Sequence, residues 1–390
     1  MFCTRLWCND AIIADVDYGF GAVDSFDPLT GCAIFEDNLP PGGNYAITPA
    51  KDGDDLNGVN TLDLIRISQH ILGLVPLGSP YAMIAADANK SNSITTFDMV
   101  EIKKLIQGIY TELPNNTSWR FLDANFIFPN PSNPFQGAWP DTFTYTVQDS
   151  FRYFNIFGIK MGDVDCSAYP GFGSSPGVED RITATLNLPD ATLLPGETVE
   201  IPIRPAAATQ WLGLQAGLRF DPDLLEIESV APGNLPDMDA SSFALPQPGT
   251  LNVVWFNTAP QSVSPEENLF SLRLKARAPL RLSETIFLAN EKFESESYTA
   301  EEATQKLQLQ FIERSEAAGA TTLFAPEPNP TAGSAAIPVR LVQVETVMLE
   351  LNDLSGKRLW FNQITLNSGT HLLEIPAVAL SQPGMYVWRI

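Results

Sequence analysis

Histidine is almost missing from this sequence. Only His70 and His371 occur among 390 residues, so an imidazole-built zinc site or a histidine-based catalytic triad has little to be made from. Positive charge is scarce too: 23 Lys and Arg stand against 46 Asp and Glu, a net charge of −23. That leaves little basic surface for counterion release, and no nucleic acid partner is expected. No apolar run reaches the roughly 18 residues that would cross a bilayer, so no transmembrane segment is expected. A Walker-type phosphate loop is absent, and Gly171-Phe-Gly173-Ser-Ser, although Gly173 to Gly177 spells Gly-x-Ser-x-Gly, reads as linker and not as a nucleophile elbow. Glu197, Asp221 and Asp223 sit in turn contexts where solvation explains them, and no carboxylate pair stands out as a glycosidase acid and base. No catalytic residue is therefore assigned.

The four cysteines, Cys3, Cys8, Cys32 and Cys166, lack the paired spacing of a zinc ribbon; disulfides are possible but their pairing is open. The first ten residues carry one Arg, and the apolar run Ala11-Ile12-Ile13 is brief, so the start does not read as a secretory signal. The chain is then cytosolic or the C-terminal part of a longer one.

With 44% hydrophobic and 18% charged residues, the chain can build several cores, and its length suggests roughly two to four domains. Pro (31) and Gly (26) are spread throughout, which suits short strands joined by turns. The expected fold is multi-domain and mainly β, with β-sandwiches flanking a small helical, duplicated module. Residues 1–50 read as the remnant of a β-sandwich, 51–112 as the helical module, and 113–178 as a β-rich extension and linker. Residues 179–313 read as a full sandwich, 314–322 as a linker, and 323–390 as a second, small sandwich. The helical reading rests on period 3.6: Leu64, Ile67, Ile71 and Leu74 share one face, as do Met99, Ile102, Ile106 and Ile109. The sandwich reading rests on alternation, as in Leu214, Ala216, Leu218 and Phe220. Trp211 follows a polar run and is a candidate exposed aromatic for sugar binding; Trp255 belongs to an alternating strand and is expected in the core.

The helical segment repeats itself at an offset of 35: Asp52 aligns with Asp87, Asp54 with Asn89, Asn57 with Asn92, Thr61 with Thr96, Asp63 with Asp98, and Gly73 with Gly108. In the second copy Asp87, Asn89, Ser91, Thr95 and Asp98 fall at loop positions 1, 3, 5, 9 and 12, with the Ser93 carbonyl at 7. This is the oxygen spacing of an EF-hand-like loop for a hard cation of calcium's size. Asn92 replaces the usual glycine at position 6, and Asn tolerates a left-handed backbone. In the first copy the same register gives Asp52, Asp54, Leu56, Gly58, Asn60 and Asp63, and Leu56 cannot ligate. Asp55 or Asn57 could substitute, or a ligand could come from elsewhere. Gly162-Asp163-Val164-Asp165 is one candidate, either folding back on the first loop or standing as a solvated turn.

Two such units, with Asp at position 12 and glycine closing each helix, resemble the dockerin module. The resemblance implies two calcium ions and a cohesin-bearing partner. Its partner-choosing positions 10 and 11 are here Thr61-Leu62 and Thr96-Phe97, although Leu62 and Phe97 could instead be buried against the β extension. Residues 182–313, with Leu194-Pro-Gly-Glu-Thr-Val-Glu-Ile-Pro-Ile203 and Gly249-Thr-Leu-Asn-Val-Val-Trp255, resemble a cohesin-like or carbohydrate-binding sandwich, implying a dockerin-bearing or polysaccharide partner. Residues 323–390 resemble the C-terminal sorting domain of the type IX secretion system of Bacteroidota-type bacteria. That likeness is carried by Pro328, Asn329, Pro330 and Gly333, by Asp353, Gly356 and Lys357, and by Gly384 and Tyr386. It implies recognition by the translocon and a secreted or cell-surface location, and with it a segment upstream of Met1. The combined expectation is a non-enzymatic modular attachment protein; an accessory part of a polysaccharide-degrading enzyme, or an adhesin, is the alternative.

Overall fold

The computed structural model describes residues 2–13, 15–18, 25–26, 32–34, 42–146, 154–171, 182–289, 293–313 and 321–390. Pro40, Pro41, the Gly- and Ser-rich stretch 172–177 and the spacer 316–320 lie outside them. The chain divides into two compact units. One comprises Met1–Leu188, Thr198–Lys275 and Ser283–Phe311; the other comprises Pro189–Glu197, Ala276–Leu282 and Ile312–Ile390. The protein is mainly β with few helices. Among the described residues no helix is long and apolar enough to cross a membrane.

In the first unit the duplicated segment forms α1 (Thr61–Ile71) and α3 (Thr96–Ile106), with α2 (Pro80–Ala86) between them. Each long helix starts at a reciprocal cap: Asn60 with Asp63, and Thr95 with Asp98, satisfy the first free backbone N–H groups. Each is stopped by a glycine in the left-handed region, Gly73 (φ +70°) and Gly108 (φ +73°). Leu74 and Ile109, expected on the helical faces, fall beyond these stops and are exposed. The inward faces, Leu64 and Ile67 with Ile102 and Ile106, close a core with Ile84, Leu122, Ile159 and Met161. Seven residues are too short to reveal a period, so α2 had no signal beyond its Ser79-Pro80 start.

Around the helices run β1 (Phe2–Leu6), β2 (Trp119–Asp123) and β3 (Phe154–Lys160). They belong to one five-stranded sheet in the order Ser25–Phe26, Ala33–Ile34, β1, β3, β2. β1 and β3 are parallel, from Phe2 opposite Phe154 to Leu6 opposite Gly158. A parallel pair needs a long crossover, and the crossover here contains the whole helical repeat. The N-terminal strands and the extension therefore share one sheet instead of standing as a sandwich remnant and a separate appendage. The disulfides Cys3–Cys32 and Cys8–Cys166 fasten it.

The larger sheet of this unit contains β4 (Thr183–Asp190), β5 (Thr198–Pro205), β6 (Thr209–Arg219), β7 (Leu225–Pro232), β8 (Thr250–Val263), β9 (Phe270–Ala276), β10 (Glu296–Thr299) and β11 (Thr304–Glu313). Their order is β7-β9-β5-β4-β11-β10-β6-β8, ending in Phe243–Ala244. Phe243 at that end and Phe270 near the other stand 5.6 Å apart ring to ring, so the sheet folds over on itself. Leu214, Ala216, Leu218, Leu251, Val253, Leu272 and Leu274 fill the interior. Trp255 is buried as expected, but so is Trp211 (1% exposed), whose Nε1 donates to Gln305. It offers no stacking platform for sugar.

The second unit contains β12 (Ala335–Leu341), β13 (Glu345–Asp353), β14 (Arg358–Leu366), β15 (Gly369–Ile375) and β16 (Tyr386–Arg389). Two three-stranded sheets, Thr322–Leu323 with β12 and β15, and β14 with β13 and β16, enclose Ile337, Val339, Val347, Leu349, Leu351 and Leu373.

Candidate metal loops and docking face

The second loop, Asp87 to Asp98, is continuous. Asp87 accepts from the backbone N–H of Ser91 (2.8 Å) and of Asn92 (2.9 Å). Asp98 accepts from those of Asn89 (3.1 Å) and Thr95 (2.8 Å). The Ser91 hydroxyl donates to the Ser93 carbonyl at 3.2 Å. Asn92 sits at φ +61°, the left-handed turn anticipated for position 6. Asp87 and Asp98 are fully buried, and burial, followed after backbone bonds by the Asp98 charge, raises the Asp87 carboxyl above its ordinary value. The Thr95 hydroxyl accepts from Phe97 N–H and so also serves as the helix cap.

The first loop repeats this bond pattern from two separate pieces of chain. Asp163 accepts from Ser167 N–H (3.1 Å) and Ala168 N–H (3.0 Å), as Asp87 does from Ser91 and Asn92. Asp63 accepts from Asp165 N–H (3.3 Å) and Asn60 N–H (2.9 Å), as Asp98 does from Asn89 and Thr95. The Ser167 hydroxyl donates to the Gly58 carbonyl at 2.9 Å, as Ser91 does to Ser93. Asp163, Asp165 and Ser167 thus occupy positions 1, 3 and 5, and Gly58, Asn60 and Asp63 occupy 7, 9 and 12. Ligand atoms of Asp63, Asp163 and Asp165 all lie within 4.8 Å of one another. Asn57 zips the pieces together, donating to the Tyr169 carbonyl (2.6 Å) and accepting from its N–H (2.8 Å).

Asp52 and Asp54, given positions 1 and 3 by the in-register reading, are not placed beside Asp63. Asp52 accepts from Ser118 N–H (2.9 Å) and Asp55 from Leu113 N–H (3.3 Å), so these two carboxylates hold the segment between α3 and β2. Leu56, at position 5 of that register, packs on the helical core. The missing half-loop was readable in Gly162-Asp-Val-Asp-Cys-Ser-Ala168, whose Asp163, Asp165 and Ser167 match Asp87, Asn89 and Ser91.

Crowded carboxylates in a buried place resist ionising together. Burial first, then the Asp165 charge, pushes the Asp163 carboxyl up to about 8. Burial, then Asp165 and Asp163, raises Asp63 well above the carboxylate range. Lys160 is nearby and buried, but its ammonium donates to the carbonyls of Asp55 (2.8 Å) and Met161 (3.4 Å), and burial lowers it to about 8.

Immediately past the split loop, the first turns of α1 lie on the folded sheet. Leu62 and Ile65 form a cluster with Leu212, Tyr298 and Phe256. Gly213 makes room for them: a Cβ there would stand 3.0 Å from both Ile65 Cδ1 and Thr61 Cγ2. Thr61 N–H donates to Gln215 Oε1 (2.8 Å), Arg66 pairs with Glu302 (3.0 Å), and the Gln69 amide reaches the Thr258 carbonyl (3.4 Å). The end of α3 joins in, with Gln107 donating to the Ser241 carbonyl (2.8 Å) and accepting from Asn252 through its own carbonyl (3.0 Å). Leu62 is thus buried against this sheet, not against the extension. Its repeat counterpart behaves differently: Phe97 is 72% exposed, and Thr96 and Val100 are exposed beside it.

In the second unit, Asp353 accepts from the N–H groups of Ser355 (2.8 Å) and Lys357 (3.0 Å) across the turn that Gly356 makes at φ +83°. Tyr386 opens β16 and its hydroxyl donates to the Gln382 carbonyl, bridging the turn that holds Gly384. Pro328, Asn329, Pro330 and Gly333 lie in the segment before β12.

The family model of the Cohesin domain matches residues 184–308. This stretch is a cohesin-like β-sandwich. Among solved structures, a cohesin in the Coh-OlpC–Doc435 type I cohesin–dockerin complex of Clostridium thermocellum is 14% identical, over 34% of this chain and 92% of its own (TM-score 0.27). A non-cellulosomal cohesin from Archaeoglobus fulgidus is 16% identical, over 34% and 94% (TM-score 0.24). A type II cohesin domain from the Acetivibrio cellulolyticus cellulosome is 12% identical, over 33% and 92% (TM-score 0.26). No curated protein matches the chain.

Two outcomes follow from the split loop. A Cβ on Gly58, at φ +74°, would stand 2.3 Å from the Ala168 nitrogen, so Gly58→Ala should cost about 1–3 kcal/mol, read as a lower thermal midpoint. An unchanged midpoint would contradict the close junction. The raised Asp163 also sets a pH trend for the ion-free protein. From about pH 4, where the unfolded chain releases this proton, up to about 8, the folded state holds more protons, so stability falls as pH rises. Melting in chelator from pH 5 to 8 should show that decline; a rise would overturn it.

Proposed function

We propose that this is a secreted or cell-surface attachment protein whose paired helices form a dockerin-like module, ordered by two calcium ions, that engages the cohesin-like sandwich. One observation carries the reading: the partner-choosing positions of the first helix, Thr61 and Leu62, are buried on that sandwich, directly after a loop of metal-type oxygen donors. The oxygen sets are Asp87, Asn89, Ser91, the Ser93 carbonyl and Asp98 in one loop, and Asp163, Asp165, Ser167, the Gly58 carbonyl and Asp63 in the other. Oxygen-only ligation without His or Cys suits calcium, and millimolar extracellular calcium fills weak sites. An attachment role needs no catalytic centre.

Protein, not polysaccharide, is the ligand class this favours, because both tryptophans of the sandwich, Trp211 and Trp255, are buried. Thr96, Phe97 and Val100 form the exposed counterpart of the docked stripe and are the module's open face toward a cohesin-bearing partner. The small second unit, with its Asp353-Gly356-Lys357 turn and terminal strand from Tyr386, serves as a type IX export address.

The test is calcium titration of the full chain by calorimetry, with the thermal midpoint measured in calcium and in chelator. We expect two ions in the wild type, one in Asp98→Ala, one in Asp163→Ala/Asp165→Ala, and two in Asp52→Ala. Filling both sites a hundredfold above Kd stabilises by about 2.7 kcal/mol per site through linkage. Identical melting with and without calcium would sink the proposal.

A further inference from the structure

The surface of the sandwich that receives a helix is already occupied by the chain's own α1. We propose that this contact is a reversible latch: while α1 sits on β6, β8 and β10 the receptor face is closed to other chains, and once α1 lifts, the partner that fits the face is the α1 of a second copy. The inference rests on reading the α1 contact as a partner contact, and not on the metal loops.

Three features of the contact make it separable. First, α1 divides its side chains between two cores. Leu64 and Ile67 face the helical module, whereas Leu62 and Ile65 face the sandwich. α1 therefore lifts together with α3, which breaks the Gln107 bonds to Ser241 and Asn252 and uncovers Val254 and Phe293 on the sandwich side, while Leu64 and Ile67 stay packed on Ile102 and Ile106. Second, the closed contact leaves buried polar atoms unpaired: Thr61 Oγ1 and Gln69 Oε1 have no hydrogen-bond partner. Each regains water when the contact opens, which favours release. Third, the rim is polar and replaceable by solvent, with the Arg66–Glu302 pair about a third exposed on both sides.

The fit to a second copy follows from complementarity already present within one chain. Gly213 supplies the flat spot, Gln215 the acceptor for the helix N-terminal N–H, and Glu302 the partner for Arg66. Every copy carries one such face and one such helix, so the contact can close within a chain or between two. Tethering favours closure within: a short tether gives an effective concentration of about 1 mM, roughly a hundredfold above a second copy at 10 µM. The wild type is then a closed monomer, and its capacity for association is hidden until α1 is displaced.

Complementary full-length variants test this. Leu62→Asp/Ile65→Asp spoils the helix and leaves the sandwich face free; Leu212→Asp spoils the face and leaves the helix free. Each alone should sediment as a monomer, and an equimolar mixture at tens of micromolar should give a 1:1 complex. Hydrogen exchange provides the second measurement. Amides of 211–215 should lose protection at least tenfold in the helix variant and regain it when the Leu212→Asp chain is added, while Leu251 and Val253 stay protected, reporting an intact sandwich. If the aspartates prevent folding, Ile65→Ala and Phe256→Ala serve as the milder pair with the same readouts. Loss of protection with no complex in the mixture overturns the second-copy partner alone. Unchanged protection at 211–215 in the helix variant overturns the docking reading itself. A wild type that is already dimeric overturns the closed monomer.

Discussion

Three carboxylates that resist being together are held together. Asp63 opens a helix, whereas Asp163 and Asp165 follow a strand about a hundred residues later, and their ligand atoms lie within 4.8 Å of one another. Two like charges 4 Å apart repel by about 4 kcal/mol at the effective dielectric of a protein surface. Protons can relieve this, as the raised Asp163 and Asp63 record, or a divalent cation can. Both remedies would act on the same groups, so under the proposed calcium reading a cation would compete with protons at this point of the fold and bind better as protons are lost.

The consequence travels a short distance. Asp63 is at once position 12 of the loop and the N3 residue of the cap on α1, and Asn60 and Thr61 precede it directly. Whatever fixes the Asp63 carboxylate therefore fixes the turn that presents Thr61 and Leu62 to the cohesin-like sandwich. The second helix has the same cap and nearly the same loop, yet its stripe of Thr96, Phe97 and Val100 is exposed. Corresponding stripes of the repeat thus have different fates: one is buried on the cohesin-like sandwich and the other is exposed.

Much of this was legible before any coordinates. The 3.6 period located α1 and α3, although the faces it gave run three residues past each helix, to Leu74 and Ile109, and the alternation of Leu214, Ala216 and Leu218 located a sandwich strand. The continuous loop was readable because its oxygens lie in one register. The first loop was legible only in part: Asn60 and Asp63 were in place, but Asp52 and Asp54 were favoured by an offset that the chain abandons upstream of Asn57. A repeat search assumes that both copies run in the same order, and here the first half of one loop comes after its second half. The parallel pairing of β1 with β3 was also hidden, since parallel strands far apart leave no local pattern. Trp211 misled because a polar run before it suggested an edge, whereas the bulge between Trp211 and Gly213 turns it under Gln305.

The reversed order has an energetic meaning. Closing the continuous loop fixes about a dozen residues; closing the split one brings together segments about a hundred residues apart, a loop-closure difference of about 2 kcal/mol by the logarithmic law. Something other than the ion must meet that cost, and the structure supplies it beforehand. β1 pairs along its length with β3, the strand that leads into Asp163, and the disulfide between Cys8 and Cys166 ties the half-loop at its fourth position. The two loops thus present similar oxygens with different dependences: the continuous one needs only its own helix, whereas the split one needs the sheet, the disulfide and the helix together. On the proposed calcium reading, filling the split loop would therefore require the whole composite domain to have assembled, directly before the helix that packs on the cohesin-like sandwich.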